Sequence, residues 1–305
     1  MLKCCVATMA YNEEANISQM MEAVLSQQLN NVEITEIVVV ASGCTDRTEE
    51  IVKEFAQRDK RIRLLTQPQR SGKSSAINLL LQEIKAEIIA LVNADNIPAP
   101  DTIENLVQPF TDPWVGMTGG HPVPTNDDKG FMGYTVHLLW ALHHEISKQR
   151  PKMGEIIAFR NFFHQIPPDS AVDEASIEPL IRGQGLKLCY VPDAIVYNRG
   201  PETLDDFLRQ RRRIYAGHIY VHTMLGYRVS TMKGTHILKC LLTSPAFKRD
   251  WKYFLWVPAI IALEVWGRIL GWMDYRIWKR KHAIWEVAET TKHVTSVTSA
   301  IPPVM

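Results

Sequence analysis

The chain has 305 residues, 46% hydrophobic and 22% charged, which is ample for one extended domain or two closely packed ones and excludes a disordered or collagen-like chain. Its formal net charge of +1 supplies no overall basic field, so nucleic acid is not an expected partner. Five cysteines at irregular spacings, with no CxxC pair, fit neither a disulfide framework nor a zinc site and point to a reducing cytosol, while the residues ahead of the first apolar run are too few for a signal peptide.

The first third alternates two periodicities. Apolar runs at residues 3–9, 34–40, 62–65 and 88–92 read as buried strands. Between them lie helical stripes at Ile17, Met20, Met21, Val24 and Leu25, at Thr48, Ile51, Val52 and Phe55, and at Ile77, Leu80, Leu81 and Ile84. Strand and helix alternating through short links predict right-handed parallel crossovers in an open α/β sheet. Its ligands belong beyond the carboxyl ends of the strands, just after Met9, Val40, Leu65 and Val92.

A fourth helical stripe (Ile103, Leu106, Val107, Phe110) leads into a mixed region with a Gly/Pro-rich stretch at 116–124 and strands near 155–159, 187–191 and 194–198. Past residue 220 the composition changes. Residues 253–273 are apolar and tryptophan-rich, flanked by Lys248, Arg249 and Lys252 on one side and Arg276, Lys279, Arg280 and Lys281 on the other. Pro258, Glu264 and Arg268 interrupt this segment, so an interfacial or re-entrant helix with tryptophan and basic anchors is the preferred expectation over a buried core helix or a true span; Glu264 and Arg268, four apart, are placed to pair.

Several clusters fall where ligands belong, and each has a plainer reading. Tyr11-Asn12-Glu13-Glu14 offers a ring for a nucleobase, or a strand end with Asn12 or Asn16 capping the next helix. Ser42-Gly43-Cys44-Thr45-Asp46 is a glycine turn that a capped helix alone would explain. Arg70-Ser71-Gly72-Lys73-Ser74 resembles the end of a phosphate-binding P-loop, but Gln67 stands where that loop needs glycine; Lys73 at a helix start still suits a phosphate charge. Asn93-Ala94-Asp95 ends a buried strand, where an acid either terminates a turn or holds a hard cation. Asp173-Glu174 opens a helix, as dipole partners or as a general base. Gln210-Arg211-Arg212-Arg213-Ile214 is a charge run that either faces solvent or clamps a diphosphate.

In this order and spacing, and with Val191-Pro192-Asp193-Ala194-Ile195-Val196-Tyr197 between the last two, the clusters resemble the motif series of glycosyltransferase family 2 over roughly residues 3–220. The resemblance implies a Rossmann-like sheet of the glycosyltransferase A type, with a nucleotide-sugar-binding half over 1–112, an acceptor half over 113–220 and a helical, membrane-interfacial region over 221–305. It implies Tyr11, Glu13, Ser42 and Asp46 around the nucleoside and Lys73 near the donor. Asp95 matches the second acid of the DxD motif, with Asn93 in place of the first, and holds a divalent cation, Mg or Mn. Asp173 and Glu174 match the acidic pair that includes the base, Glu174 by register. Gln210 and Arg213, with Arg211 beside them, match the QxxRW motif. Ala41 and Ser42 stand where the family has an acid pair, and Ile214 replaces the tryptophan. The expected activity is inverting transfer from a nucleotide sugar, a UDP-sugar favoured, to a saccharide or lipid-linked acceptor. The expected location is the cytoplasmic side of the cell membrane, peripheral or monotopic, with the cytoplasm as alternative. A catalytically silent nucleotide-sugar-binding protein is the rival.

Overall fold

The computed structural model describes residues 1–229, 234–247, 249–280 and 282–284, so Lys248 and Lys281 of the predicted basic flanks lie outside the described residues. The first third folds as the periodicities predict. Strands β1 (Leu2–Ala10), β2 (Val32–Ser42), β3 (Ile62–Gln67) and β4 (Ile88–Val92) alternate with helices α1 (Ile17–Leu25), α2 (Thr48–Arg58) and α3 (Lys73–Glu83). The four strands pair in parallel as β3-β2-β1-β4. β1 and β4, inside the sheet, read as continuous apolar runs because both faces are covered, whereas the edge strand β3 buries only Ile62. Cys4 and Val6 of β1 pack with α1 on one side, while Cys5 and Ala7 pack with Ile77 and Leu80 of α3 on the other.

The second half extends the same sheet with mixed directions. After the two-residue strand β5 (Ile97–Pro98) and helix α4 (Thr102–Val107), strand β6 (Val115–Pro124), helix α5 (Phe131–Gln149), strand β7 (Ile156–Arg160), helix α6 (Asp173–Gly183) and strand β8 (Lys187–Asn198) complete an eight-stranded order β3-β2-β1-β4-β7-β6-β8-β5. The Gly/Pro-rich stretch is therefore a strand. Its pairing with β8 jumps from Gly119↔Tyr190 to His121↔Ile195, which merges the two predicted strands of β8 across an irregularity at Val191–Ala194. Gly120 faces that irregularity, and a Cβ there would lie 2.4 Å from the Ala194 carbonyl oxygen.

Three helices follow: α7 (Leu204–Leu225), α8 (Gly234–Thr243) and α9 (Trp251–Arg276). Pro258, Glu264 and Arg268 interrupt the apolar composition but not the helix, and α9 runs unbroken for 26 residues. Pro258, inside the helix, lacks the amide that would bond the Phe254 carbonyl, and α9 continues through it; Glu264 pairs with Arg268 at 3.8 Å, as the spacing predicts. One stripe of α9 packs inward through Val257, Ile260, Gly267 and Gly271. A Cβ on Gly267 would meet Arg211 Cβ at 2.7 Å, and one on Gly271 the Arg212 carbonyl oxygen at 2.6 Å, so these glycines set how closely α7 and α9 approach. Asp274, fully buried, locks the far end by accepting two hydrogen bonds from the Arg212 guanidinium at 3.0 and 2.9 Å. The opposite face of α9 exposes Phe254, Leu255, Ile261, Val265, Trp266, Ile269 and Trp272. Among the described residues, α9 is the helix long and apolar enough to cross a bilayer.

Gly120→Ala should destabilise the fold by about 1–3 kcal/mol, because the added methyl meets backbone rather than a side chain that can turn aside. Chemical denaturation of the two proteins in the same detergent checks this.

Candidate functional site

The carboxyl ends of β1 and β2 feed two loops that are stitched together. Asn12, held at a positive φ of 52°, accepts from the Thr45 amide at 2.8 Å and donates to the Thr45 hydroxyl at 3.0 Å. The Glu13 amide donates to the Thr48 hydroxyl at 2.8 Å and the Glu14 amide to Asp46 at 3.0 Å, while Glu14 accepts from the Arg47 amide at 3.0 Å. Asp46 also accepts from the Thr48 amide at 3.0 Å, holding the start of α2. Asp46 thus stands one residue ahead of the α2 cap position, which Arg47 occupies, and its carboxylate bonds loop amides rather than lining the cavity. Asn12 cross-links loops rather than capping α1, and Asn16 bonds Glu13 at 3.0 Å.

What this stitching presents to the interior is Tyr11 and Glu13, on the wall of a cavity of about 1140 Å³. Ser42, Lys73, Asn93, Asp95, Asp173, Glu174, Gln210, Arg211 and Arg213 line the same cavity, so all the predicted site residues except Asp46 are brought together. The Arg70 guanidinium stacks 3.9 Å from the centre of the Tyr11 ring. The Ser42 hydroxyl donates to Gln67 at 2.7 Å and accepts from the Ser71 amide at 3.3 Å, tying β2 to the loop ahead of α3. Gly72, at φ +87°, closes that loop, and Ala283 lies against it: a Cβ on Gly72 would sit 2.3 Å from the Ala283 carbonyl oxygen. The chain beyond α9 therefore returns to the site.

At the centre is a buried polar chain. Lys73 Nζ contacts Asp173 at 2.9 Å and donates to the Asn93 side-chain oxygen at 2.7 Å, and the Asn93 amide nitrogen donates to Glu155 at 2.6 Å. Burial works against the Lys73 charge, but Asp173 and Glu174 outweigh it and raise its pKa. Burial likewise opposes the Asp173 charge, yet the Lys73 ammonium beside it holds Asp173 below the usual carboxylate range. Glu174 goes the other way. Burial and the adjacent Asp173 charge push it up to about 8, so the two carboxyls of the pair are driven in opposite directions.

Asp95 is raised to about 7, first by burial and then by Glu13 and Glu155. Arg213 lies within electrostatic reach of Glu155, Glu174 and Asp173. Glu13 and Glu155 with Asp95 itself make three carboxyl groups with surplus negative charge, oxygen donors of the kind a hard cation takes. Among the described residues there is no group of three or more acidic, histidine or cysteine ligands placed to hold a metal ion.

Glu155 is the residue that sequence reasoning missed. It opens the strand-like run at 155–159 and reads there as a strand residue, because its partner Asn93 lies 62 positions away. The arginine run also resolves in an unforeseen way. Arg211 pairs with Glu264 at 3.4 Å and Arg212 with Asp274, while Arg213 faces the acids. Ile214 packs beside Val172, ahead of the acidic pair.

The fold is the mixed, curled α/β sheet of glycosyltransferase A enzymes. The chain belongs to Glycosyl transferase family 2, whose profile matches residues 5–178. A dolichyl-phosphate β-glucosyltransferase of Trichomonas vaginalis is 36% identical over 102 residues, which is 32% of this chain and 30% of the relative. Glycosyltransferase GlyG of Streptococcus pneumoniae is 34% identical over 98 residues, 32% of each chain. The chain thus spans about a third of the length of these curated relatives. In fold it is similar to a mannosyltransferase of Pyrobaculum calidifontis solved with GDP-mannose and Mn2+, at 21% identity and a TM-score of 0.65 over 91% of this chain and 88% of that one. It is also similar to a glucosyl-3-phosphoglycerate synthase of Mycobacterium tuberculosis solved with Mn2+, UDP and phosphoglyceric acid, at 19% identity and a TM-score of 0.53 over 75% of this chain and 80% of that one.

Asn93→Asp should set a third charge between Asp95 and Glu155 and lower stability, and Glu155→Asn in the same chain should restore it. A double-mutant cycle by denaturation should return a coupling of at least about 1 kcal/mol between the two positions; additive effects would show that the 2.6 Å contact carries no energy.

Proposed function

We propose that this protein is an inverting, cation-assisted glycosyltransferase that moves a sugar from a nucleotide sugar, a UDP-sugar favoured, to an acceptor hydroxyl at the cytoplasmic face of a membrane. The observation that carries the reading is the juxtaposition, in one cavity, of the adjacent acids Asp173 and Glu174, a lysine bonded to that pair, and Asp95 just beyond the end of β4. The roles follow from charge. Tyr11, Glu13 and Ser42 lie at the nucleoside end. Lys73 and Arg213 are the cations available to a diphosphate, with Gln210 alongside. Asp95 is the residue that would hold a divalent cation, Mg or Mn, whose charge would stabilise the leaving diphosphate. Support for cation and donor comes from the neighbours solved with Mn2+ and GDP-mannose or UDP.

The acceptor oxygen forms its bond to the anomeric carbon as the bond from that carbon to the diphosphate breaks, the electron pair leaving on the diphosphate. The hydroxyl proton passes to the acidic pair, Glu174 by register. Attack from the face opposite the nucleotide inverts the anomeric centre. The exposed apolar face of α9 supports a peripheral or monotopic position, and the dolichyl-phosphate relative favours a lipid-linked acceptor over a free saccharide. The units follow: 1–112 for the donor, 113–220 for the acceptor and 221–305 for the membrane surface.

The silent-protein alternative rests on Asn93, on the loss of acids at Ala41 and Ser42, and on Ile214 in place of tryptophan. Glu155 weakens it, because that carboxylate returns to the site the charge Asn93 lacks.

Calorimetric titration with UDP-, GDP-, dTDP- and CDP-sugars, with and without Mn2+, should give cation-dependent binding of one nucleotide class, reduced at least tenfold by Asp95→Ala; no binding across the panel would sink the reading. Turnover separates enzyme from silent protein. Because the base form of the acidic pair is the deprotonated one and Glu174 is held near 8, kcat/KM should rise with pH through about 8 and flatten above it. Glu174→Gln should remove that limb together with at least a hundredfold of activity, as loss of a general base requires.

A further inference from the structure

The cavity does not end at the acidic pair. It continues between α6, α7 and α9 into a second chamber walled by Lys152, Glu178, Arg211, His218, Glu264 and Arg268. The acids of this chamber already have partners. Glu178 accepts from the Met153 amide at 3.2 Å and from the Tyr227 hydroxyl, and Glu264 takes Arg211 at 3.4 Å and Arg268 at 3.8 Å. Three hydrogen-bonding groups do not. Lys152, in the loop ahead of β7, has no ion pair within 4.0 Å and no side-chain hydrogen bond among the described residues, although its charge is felt by Glu174 and Glu178. His218 Nδ1 and Arg211 Nε are buried without a hydrogen-bond partner. Arg211 and His218 are seven residues apart on α7, two turns along one face.

An enclosed ammonium, a guanidinium N–H and an imidazole left without partners cost far more than exposed ones, and such groups persist where a ligand completes them. All three residues line the cavity and can donate, while the acids beside them are already paired, so the ligand they complete is an anion. The chamber also has an apolar side. Leu138 and Leu142 of α5 and Ile260, Ile261 and Val265 of α9 line the same cavity, and Ile261 and Val265 are exposed on the apolar face of α9.

We propose that Lys152, Arg211 and His218 form an anion subsite beside the acidic pair, which selects acceptors carrying a phosphate or carboxylate group next to the hydroxyl that is glycosylated. The anionic group docks on these three residues and the hydroxyl reaches Glu174. Any hydrocarbon portion lies between α5 and α9, continuous with the apolar surface outside. Burial together with Lys152, Arg268 and Arg211 holds His218 down at about 3, so it serves as a neutral hydrogen-bond donor rather than a second charge. This inference rests on the transfer reading given above.

The test uses the full chain and the donor that the calorimetric panel identifies. Transfer of labelled sugar is measured to glycerol and to glycerol phosphate in solution, and to vesicles of phosphatidylcholine with and without phosphatidylglycerol; donor binding is titrated in the same preparations. The expected result is transfer at least tenfold more efficient to the anionic member of a pair, competed by inorganic phosphate. Preference in solution identifies a soluble anion as the source, and preference only in vesicles identifies a lipid headgroup. Lys152→Met should raise KM for the anionic acceptor at least tenfold, and Lys152→Arg should recover most of that loss. Equal transfer to neutral and anionic acceptors with donor binding intact overturns the anion subsite alone, whereas loss of donor binding itself would fail the transfer reading instead. The phosphate competition needs no variant, so a Lys152→Met chain that does not fold leaves the proposal open to refutation by that arm.

Discussion

Removing either charge from the Lys73–Asp173 pair would strand the other inside the protein, and most of the site is placed by reference to that contact. Lys73 begins α3, Asp173 begins α6, Asn93 follows β4 and Glu155 precedes β7, so the chain of contacts from Asp173 through Lys73 and Asn93 to Glu155 joins four segments that come from both halves of the sheet. A buried ion pair of this kind adds little net stability, since desolvation offsets much of its attraction, but it fixes geometry because every displacement leaves a charge unmatched. Asn93 suits its place for the same reason. Its carbonyl oxygen meets a cation and its amide N–H meets a carboxylate; an aspartate there would answer only the first and repel the second.

Where that geometry was legible in the sequence depended on the range of the interactions. Strands β1, β2 and β4 could be read because they are buried on both faces over most of their length and so carry apolar runs, whereas β3 buries only Ile62, and the loops after the strands could be read because strand ends are where an open sheet exposes backbone to ligands. Strand β6 was obscured by Gly119, Gly120, Pro122 and Pro124, residues the sheet tolerates because β8 bulges opposite Gly120. Helix α5 was obscured because its buried face includes Thr135, His143 and Ser147, which break the apolar stripe. Glu155 was illegible for a different reason, since nothing near it in the chain marks it as a partner for residue 93. Asp46 shows the converse: a motif was visible, but its carboxylate holds two backbone amides in place, and the ligand-facing positions are the neighbours it organises.

The glycines of α9 connect this site to the apolar surface. With Gly267 and Gly271 against Arg211 and Arg212, the two helices approach closely enough for Glu264 and Asp274 to reach guanidinium groups on α7. Helix α7 cannot slide along α9 without breaking both pairs and driving backbone into backbone. The exposed apolar face of α9 and the face that meets the site are thereby parts of one rigid unit.

Three successive arginines explain how α7 serves two chambers at once. Each residue of a helix is turned by about 100° from the last, so a run of three identical side chains addresses three directions. Here all three directions are occupied: Arg211 meets Glu264 at the second chamber, Arg212 meets buried Asp274, and Arg213 faces Glu155, Asp173 and Glu174. A charge run on a lone helix has solvent on most sides, and its members are interchangeable. On a helix enclosed by α6, α9 and the acid cluster, each arginine acquires a different counter-charge. Lysine could supply the charge at any one of them but not the bidentate contact that Asp274 receives, so residues of one type at consecutive positions perform separate tasks.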